Sequence, residues 1–213
     1  MNEESSCSRP YTLGKRAEQS SKRRRAVLEA ARAQLVSGGY ANLTMDSLAR
    51  ESGVTRQTVH NLFKTKTGVL EALFDQIAVE GGMAQMARVM GGMARPETSP
   101  EMLLEGFVQI FTGFWSRERL LIRRIHGIAA IEPELSTLIE ARNQRRRMAA
   151  MHIVRRVELN DAKADERGRR VAALYALTSF EFFDVYVESA GSLQEAADGV
   201  LALVKRALLL DAC

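Results

Sequence analysis

From about residue 20 onward, apolar side chains return every three or four positions along almost the whole of this 213-residue chain. This spacing places them along one side of an α-helix, whereas a half-buried strand requires apolar and polar residues to alternate. Val, Ile and Thr never alternate with polar residues over a strand length, and no Asn-Gly or Asp-Gly pair stands between two strand-like runs. The pattern predicts an all-α fold of about nine helices.

Capping residues and glycines predict where these helices begin and end. The first helix starts at Ser20 or Ser21 and stops at the glycines 38–39, while residues 1–19 form a mobile basic arm. Thr44 and Thr55 each precede a short helix, because a threonine hydroxyl accepts a hydrogen bond from the first turn. A helix from Val69, capped by Thr67, is expected to kink or to end early at the glycines 81–82 and 91–92. The remaining helices are predicted at residues 101–116, 117–131, 134–159, 163–189 and 193–210.

The net charge of +4 is unevenly divided along the chain. Residues 1–66 hold 12 Lys and Arg against 6 Asp and Glu, a net of +6, and residues 67–213 hold 18 against 20, a net of −2. An N-terminal surface that binds a polyanion explains this asymmetry, and a solvated basic tail explains it equally well.

Several classes of protein are excluded by what the sequence lacks. Cys7 and Cys213 form neither a disulfide framework nor a zinc motif, and no apolar run is long enough to span a membrane. The N-terminus lacks the pattern of a signal peptide, and the common catalytic motifs are missing. We therefore expect a cytoplasmic protein that is not an enzyme and has no cofactor, metal or membrane partner.

Residues 44–63 form the most distinctive unit of the sequence, two short helices joined by a turn at Gly53. One face of this unit is apolar, and the outward face of its second helix is polar. An α-helix fits the major groove of B-DNA, where polar side chains reach base edges and phosphates. The alternative is an ordinary helical hairpin whose polar face is exposed to solvent. The outward residues are Arg56, Gln57, Thr58, His60 and Asn61.

The segment 53–66, Gly-Val-Thr-Arg-Gln-Thr-Val-His-Asn-Leu-Phe-Lys-Thr-Lys, resembles the DNA-binding segment of the TetR family of bacterial repressors. The resemblance extends from about Arg24 to Ile77, a quarter of the chain, and the later helices match the family only in number, length and order. It implies a helix-turn-helix domain over residues 20–66 and an effector-binding and dimerisation domain over residues 67–213.

The resemblance also implies roles for individual residues in DNA binding. Thr44, at the start of the second helix, would contact a phosphate. Within the recognition helix, residues 55–61, Arg56 suits guanine, and Gln57 and Asn61 suit adenine. The remaining phosphate contacts are assigned to Thr55, Thr58, Lys64 and Lys66.

Two positions depart from the family pattern. His60 stands where the family usually has a tyrosine that contacts phosphate, and Leu62 stands where it often has histidine. His60 still offers a hydrogen-bond donor, and its contribution would depend on pH. These departures affect the role of His60 rather than the expected fold.

The helices between the DNA-binding segment and the last two helices are rich in Phe, Met and Ile. The family resemblance implies that a small effector binds among them, although an ordinary core position is the alternative for every one of these residues. Glu181 and Asp184 are either polar groups near such a pocket or part of a wet helix face, and we expect a solvated face around the run at 145–147. The candidate ligand-binding residues are Phe107, Phe111, Phe114, Trp115, Ile122, Ile125, His126, Met148, Met151 and Phe180.

The last two helices carry apolar residues at helical spacing. The resemblance implies that they pair with the same helices of a second subunit, and packing inside one chain is the alternative. The candidate dimer residues are Tyr175, Phe182, Tyr186, Val200, Val204 and Leu208.

Taken together, the sequence predicts a ligand-responsive transcriptional regulator that acts as a homodimer. We expect a repressor that binds a palindromic operator in double-stranded DNA and is released by a small apolar or amphipathic effector. The alternative is a nucleoid-type protein that binds DNA of any sequence and has no effector.

Overall fold

A computed structural model describes residues 11–81, 99–157 and 164–209. These residues form nine α-helices and one short 3-10 helix at Tyr40–Asn42, and they contain no strand. The predicted all-α fold class is therefore confirmed. The helices are α1 (Tyr11–Ser37), α2 (Met45–Ser52), α3 (Arg56–Phe63), α4 (Lys66–Glu80), α5 (Pro100–Ala129), α6 (Pro133–Val157), α7 (Ala164–Leu177), α8 (Phe180–Ala190) and α9 (Leu193–Leu209).

The chain divides into two compact units, residues 1–73 and 74–213. In the first unit, α1 packs against α2 and α3, and α2 packs against α3. The three helices share a small core of fully buried apolar side chains, which fixes the angle at which α3 leaves the turn. This core includes Val27, Ala31, Leu35, Leu48 and Val59.

In the second unit, α5 packs against α6 and α9, and α9 also packs against α7 and α8. Ser99 caps α5 by accepting a hydrogen bond from the Met102 amide at 3.2 Å, and Pro100 follows it in the first turn, where no amide donor is required. The buried stripe of α5 is almost entirely apolar: Leu103, Leu104, Phe107, Val108, Phe111, Phe114, Trp115, Leu121, Ile122 and Ile125.

Two predicted helix boundaries in the second unit are wrong. Helix α5 is continuous from residue 100 to 129, because the Arg-Glu-Arg sequence at 117–119 favours a helix and the buried stripe continues past it. The single helix predicted at 163–189 is instead interrupted after Leu177, where Ser179 caps a new helix by accepting from the Phe182 amide at 3.1 Å. The two errors cancel, so the number of described helices still equals the number predicted.

The predicted mobile arm over residues 1–19 is wrong for residues 11–19, which are helical. Helix α1 begins at Tyr11, and the Lys, Arg, Glu and Gln residues that follow are good helix formers with exposed side chains. Residues 1–10 and the glycines at 91–92 lie outside the described residues, as do both cysteines. Among the described helices, none has the length and apolarity that crossing a bilayer requires.

Candidate functional sites

The start of α2 is fixed by a reciprocal pair of hydrogen bonds. The Thr44 hydroxyl accepts from the Ser47 amide at 3.0 Å, and the Ser47 hydroxyl accepts from the Thr44 amide at 2.9 Å. This capping box satisfies two amides that the helix cannot satisfy itself. Thr44 is exposed at the positive end of the helix, which is the position where an anion is bound most favourably.

The turn between α2 and α3 requires glycine. Gly53 has a φ of 69° in the left-handed region, where a side chain would strain the backbone. The Val54 amide then donates to the Ala49 carbonyl at 3.1 Å, which closes the turn directly after α2. The short turn lets α3 begin at Arg56 with its polar face outward.

Helix α3 presents an ordered set of polar side chains to solvent. Thr55 caps the helix, because its hydroxyl accepts from the Thr58 amide at 3.1 Å. The Gln57 amide nitrogen donates to the Asn61 side-chain oxygen at 2.9 Å, one turn further along the same face. Arg56 lies 3.4 Å from Asp46, and both side chains are about 70% exposed (71% and 67%), so water screens this ion pair.

Lys64 ends α3 in an unfavourable backbone conformation. Its φ of 66° is the only positive value at a described residue other than glycine. The Thr65 amide donates to the Phe63 carbonyl at 2.8 Å, which makes a tight three-residue turn centred on Lys64. Strain of this kind persists where the surrounding structure holds it, and functional sites often store it.

Lys66 is held by the short 3-10 turn that follows α1. Its ammonium donates to the Tyr40 carbonyl at 2.9 Å and lies 3.3 Å from the centre of the Tyr40 ring. The side chain is half-buried, so the lysine joins the start of α4 to residues 40–42. The sequence prediction assigned Lys66 to phosphate binding and missed this structural contact.

The nine predicted DNA-binding residues all lie in the first unit. Seven of them are exposed, and Thr58 and Lys66 are half-buried. The recognition-helix residues share the outer face of α3, while the lysines follow its end. The exposed seven are Thr44, Thr55, Arg56, Gln57, His60, Asn61 and Lys64.

The second unit contains a cavity of about 490 Å³, formed by α5, α6 and the part of α4 that follows Leu73. This volume lies in the range of sites that hold a small organic molecule. Its lining residues are Phe74, Asp75, Ala78, Val79, Phe111, Phe114, Trp115, Ile122, His126, Ile139, Arg142, Asn143, Arg145, Arg146 and Ala149.

The structure brings half of the predicted ligand-binding residues together at this cavity. Phe111, Phe114, Trp115, Ile122 and His126 line it. The other five predicted residues are placed elsewhere. Phe107, Ile125 and Phe180 are buried in the surrounding core, whereas Met148 (67%) and Met151 (37%) are exposed on α6.

Arg146 is the residue that the sequence interpretation placed wrongly. A solvated face was expected around residues 145–147, but only 6% of Arg146 is exposed. Its guanidinium donates to the Tyr175 carbonyl and lies 4.0 Å from the centre of the Tyr175 ring. Burial lowers the pKa of Arg146, because a charged group loses its hydration.

Side chains of the cavity wall also stabilise the interruption between α7 and α8. The Trp115 indole donates to the Thr178 carbonyl at 3.0 Å, and Arg146 reaches the carbonyl of Tyr175 and the hydroxyl of Thr178. These donors satisfy backbone oxygens that a continuous helix would have satisfied itself. The interruption therefore depends on side chains from α5 and α6, which a local sequence pattern does not include.

An ion pair and a hydrogen-bonded histidine–carboxylate pair border the cavity. Arg142 pairs with Asp75 at 2.9 Å, and His126 Nδ1 lies 2.8 Å from the Glu181 carboxylate. The hydrogen bond with His126 lowers the pKa of Glu181 to about 2, against the opposing effect of burial. Asp184 is farther along α8, where burial would raise its pKa, but the guanidiniums of Arg123 and Arg119 lower it.

The predicted dimer residues fall into two groups. Val200, Val204 and Leu208 are buried within the single chain, so they already serve its core. Phe182 and Tyr186 are half-buried and stacked, with ring centres 5.6 Å apart. Tyr175 is half-buried beneath Arg146.

Residues 27–73 match the model of the TetR family, described as bacterial regulatory proteins. The match contains Gly53, all of α2 and α3, and the nine predicted DNA-binding positions. The resemblance predicted from the sequence is therefore confirmed for this segment. No curated protein sequence matches the chain.

Solved structures of regulators share the fold over nearly the whole chain. A TetR transcription regulator from Haloarcula marismortui has a TM-score of 0.61 at 16% identity, covering 90% of this chain and 98% of its own. NalD, the secondary repressor of the MexAB-OprM multidrug efflux pump in Pseudomonas aeruginosa, has a TM-score of 0.66 at 20% identity, with coverage of 91% and 98%. A regulator from Saccharomonospora viridis in complex with choline has a TM-score of 0.60 at 18% identity, with coverage of 87% and 96%.

Proposed function

We propose, from the TetR-type segment at residues 27–73, that this protein is a transcriptional regulator that reads DNA with α3 and responds to a small molecule. The observation that carries this proposal is the outer face of α3, where Arg56, Gln57 and Asn61 are exposed on a helix fixed by two caps and a glycine turn. A set of hydrogen-bonding groups on a rigid helix is what direct readout of the major groove requires.

In this proposal, residues 20–66 bind DNA, and residues 67–213 bind the effector and form the dimer. Thr44, Thr55, Thr58, His60, Lys64 and Lys66 contact phosphates and set the position of α3 on the duplex. Phosphate contacts give affinity for any sequence, while the base contacts of α3 select one. Lys66 keeps its assigned role in this proposal from the family resemblance alone, since its contact with Tyr40 gives no support for a phosphate contact.

A homodimer on a palindromic operator follows from the same reasoning. One α3 helix reads only one half-site, and two-fold symmetry in the protein demands two-fold symmetry in the DNA. Phe182 and Tyr186, which remain half-buried, and Val185, which is 67% exposed, support an interface at α8. The buried residues of α9 (Val200, Val204 and Leu208) do not support it directly.

The cavity supports the response to an effector. It is preformed, largely apolar and lined by a few polar groups, which are the properties of small-molecule sites. A repressor is released only if the effector binds the DNA-free conformation more tightly than the DNA-bound one. The regulators with the same fold include one in complex with choline and one named as a repressor, which supports both parts of this proposal.

The test is a comparison between one selected palindrome and a scrambled duplex of the same length and base composition. A sequence reader binds the palindrome on the order of 10³-fold or more tightly at physiological salt. The nucleoid-type alternative predicts equal affinities and the same salt slope for both duplexes. Fluorescence anisotropy with labelled duplexes between 50 and 200 mM salt measures both quantities.

A further inference from the structure

The cavity of the second unit combines an aromatic wall with an excess of positive charge. Three arginines of α6 line it, Arg142, Arg145 and Arg146, and the only carboxylate among the described lining residues is Asp75. Asp75 is already paired with Arg142 at 2.9 Å. Two arginine charges therefore remain without a carboxylate partner in the cavity lining.

Arg146 is the more informative of these two arginines. Its side chain is buried, and within the described part of the chain no carboxylate forms an ion pair with it. The guanidinium contacts only neutral groups, the Tyr175 carbonyl and the Thr178 hydroxyl, and its Nε atom has no hydrogen-bond partner there. The exposed Glu181 carboxylate attracts this guanidinium but forms no ion pair with it, so an anion bound against Arg146 would offset more of the cost of burying its charge.

We propose that the cavity binds an amphipathic organic acid, with its anionic group accepting hydrogen bonds from Arg146 and its apolar or aromatic body packed against Phe111, Phe114 and Trp115. This inference rests on the proposed function in taking the cavity as the effector site, and it adds the chemical class of the effector. Arg145, which is exposed at the same lining, adds attraction for the anion.

The other two charge classes fit the cavity less well. A neutral ligand of the same shape can accept a hydrogen bond from the Nε atom of Arg146, but it brings no negative charge to the buried guanidinium. A cationic ligand gains attraction from the aromatic rings but meets the repulsion of the arginines at short range. The charges of the described lining residues therefore rank the three classes as acid, neutral molecule and cation.

Three probes that share one body and differ only in head group test this ranking. They are 4-phenylbutyrate, 4-phenylbutan-1-ol and 4-phenylbutylammonium, with charges of −1, 0 and +1 at pH 7. Trp115 is the only tryptophan in the chain and lines the cavity, so its fluorescence reports binding at this site. We expect the acid to bind about 10- to 100-fold more tightly than the alcohol, the range for a charge-assisted hydrogen bond.

A variant pair assigns the preference to one arginine. Arg146→Met keeps an unbranched apolar stem and removes the guanidinium and its charge, and we expect it to bring the affinities of the acid and the alcohol within about threefold of each other. The matched control is Arg155→Met, which removes an exposed arginine from the same helix outside the lining. It should retain the full preference for the acid.

Several results would overturn the inference. Equal or weaker binding of the acid to the unaltered protein contradicts it without any variant, as does no detectable binding of all three probes at millimolar concentration. A preference that survives in a folded Arg146→Met protein also contradicts the assignment. If that variant fails to fold, the affinities of the three probes for the unaltered protein still test whether the acid is preferred.

The measurement is separate from the test of the proposed function. Fluorescence titration is done on the full chain without DNA, so acid binding can succeed while no selected palindrome is found. That outcome would support the acid-binding site and contradict the proposed function as a DNA-binding regulator. Selective DNA binding without acid binding would do the reverse.

Discussion

The helix-turn-helix and the cavity present their polar groups in opposite ways. In the first unit, Arg56 and Gln57 project from one short helix into solvent, and their side chains contact only neighbouring exposed polar groups. In the second unit, Trp115 and Arg146 are buried, and each donates a hydrogen bond at the interruption between α7 and α8 while also lining the cavity. We therefore expect changes on α3 to alter binding without altering stability, and changes in the cavity wall to alter both.

The largest effect is expected for Trp115→Ala. The change removes a buried aromatic side chain and its hydrogen bond to Thr178, and it should lower the free energy of unfolding by about 3–5 kcal/mol. Urea denaturation followed by circular dichroism measures the loss. Trp115→Phe, which keeps most of the apolar volume, should cost clearly less. A loss below about 1 kcal/mol would show that the cavity wall is not part of the stabilising core.

Arg56→Ala should alter DNA binding while leaving the stability of the protein nearly unchanged. Its exposed ion pair with Asp46 contributes little, so the free energy of unfolding should change by less than about 0.5 kcal/mol. Discrimination at one base of each half-site should fall by about 1–3 kcal/mol, which a selection from randomised duplexes measures. Arg155→Ala is the control, because it removes an exposed arginine from the second unit. An unchanged base preference would remove Arg56 from direct readout.

Lys64 is the position in the first unit where stability and binding should move in opposite directions. Lys64→Gly relieves the positive φ and should raise the free energy of unfolding by about 1 kcal/mol. It also removes a phosphate contact, so affinity should fall for every duplex and the salt slope should decrease by about one.

The matched control for that prediction is Lys64→Ala, which removes the charge and keeps the strain. It should weaken DNA binding as much as the glycine variant and give no gain in stability. If both variants bind all duplexes as the unaltered protein does, Lys64 makes no phosphate contact.

The smallest effect is expected for Glu181→Gln at the edge of the cavity. The pKa of Glu181 is lowered from 4.5 to about 2 in the folded chain. A lowered pKa means that the stabilising contribution is present above pH 4.5 and is lost as the pH falls towards 2. Because the Glu181 side chain is 64% exposed, solvent reduces this contribution to a few tenths of a kcal/mol.

Urea denaturation at several pH values between 2 and 6 checks this prediction. The stability of the unaltered protein should fall slightly more steeply with acid than that of the Glu181→Gln variant. The comparison variant is Glu29→Gln, which removes an exposed carboxylate from α1. A variant profile that coincides with the unaltered one would mean that the contact with His126 adds nothing to stability.

The same contrast explains what the sequence could predict. The caps Thr44 and Thr55 and the glycine turn at Gly53 act within four residues of themselves, so a local pattern contains all of their physics. The outward face of α3 follows from those boundaries and the helical period. This is why the bounds of α2 and α3 were predicted almost to the residue.

The second unit depends on contacts between residues far apart in the chain. Arg146 is buried because Tyr175 and Thr178, about 30 residues later, accept its hydrogen bonds at the break after α7. A run of arginines on one helix gives no sign of such partners, and it favours a solvated face. The continuous α5 was missed for a related reason, since its buried stripe outweighs a polar stretch that resembles a boundary.

The central claim is that two α3 helices of a symmetric dimer read one palindromic site, and selection of bound duplexes from a random pool tests it most directly. The expected result is enrichment of two inverted half-sites whose centres lie about 34–36 Å apart, or a multiple of that distance. Purification of the full chain on the selected duplex should retain two subunits per site. Recovery of a pool without enriched sequence, or of a single half-site without its inverted partner, would contradict the claim.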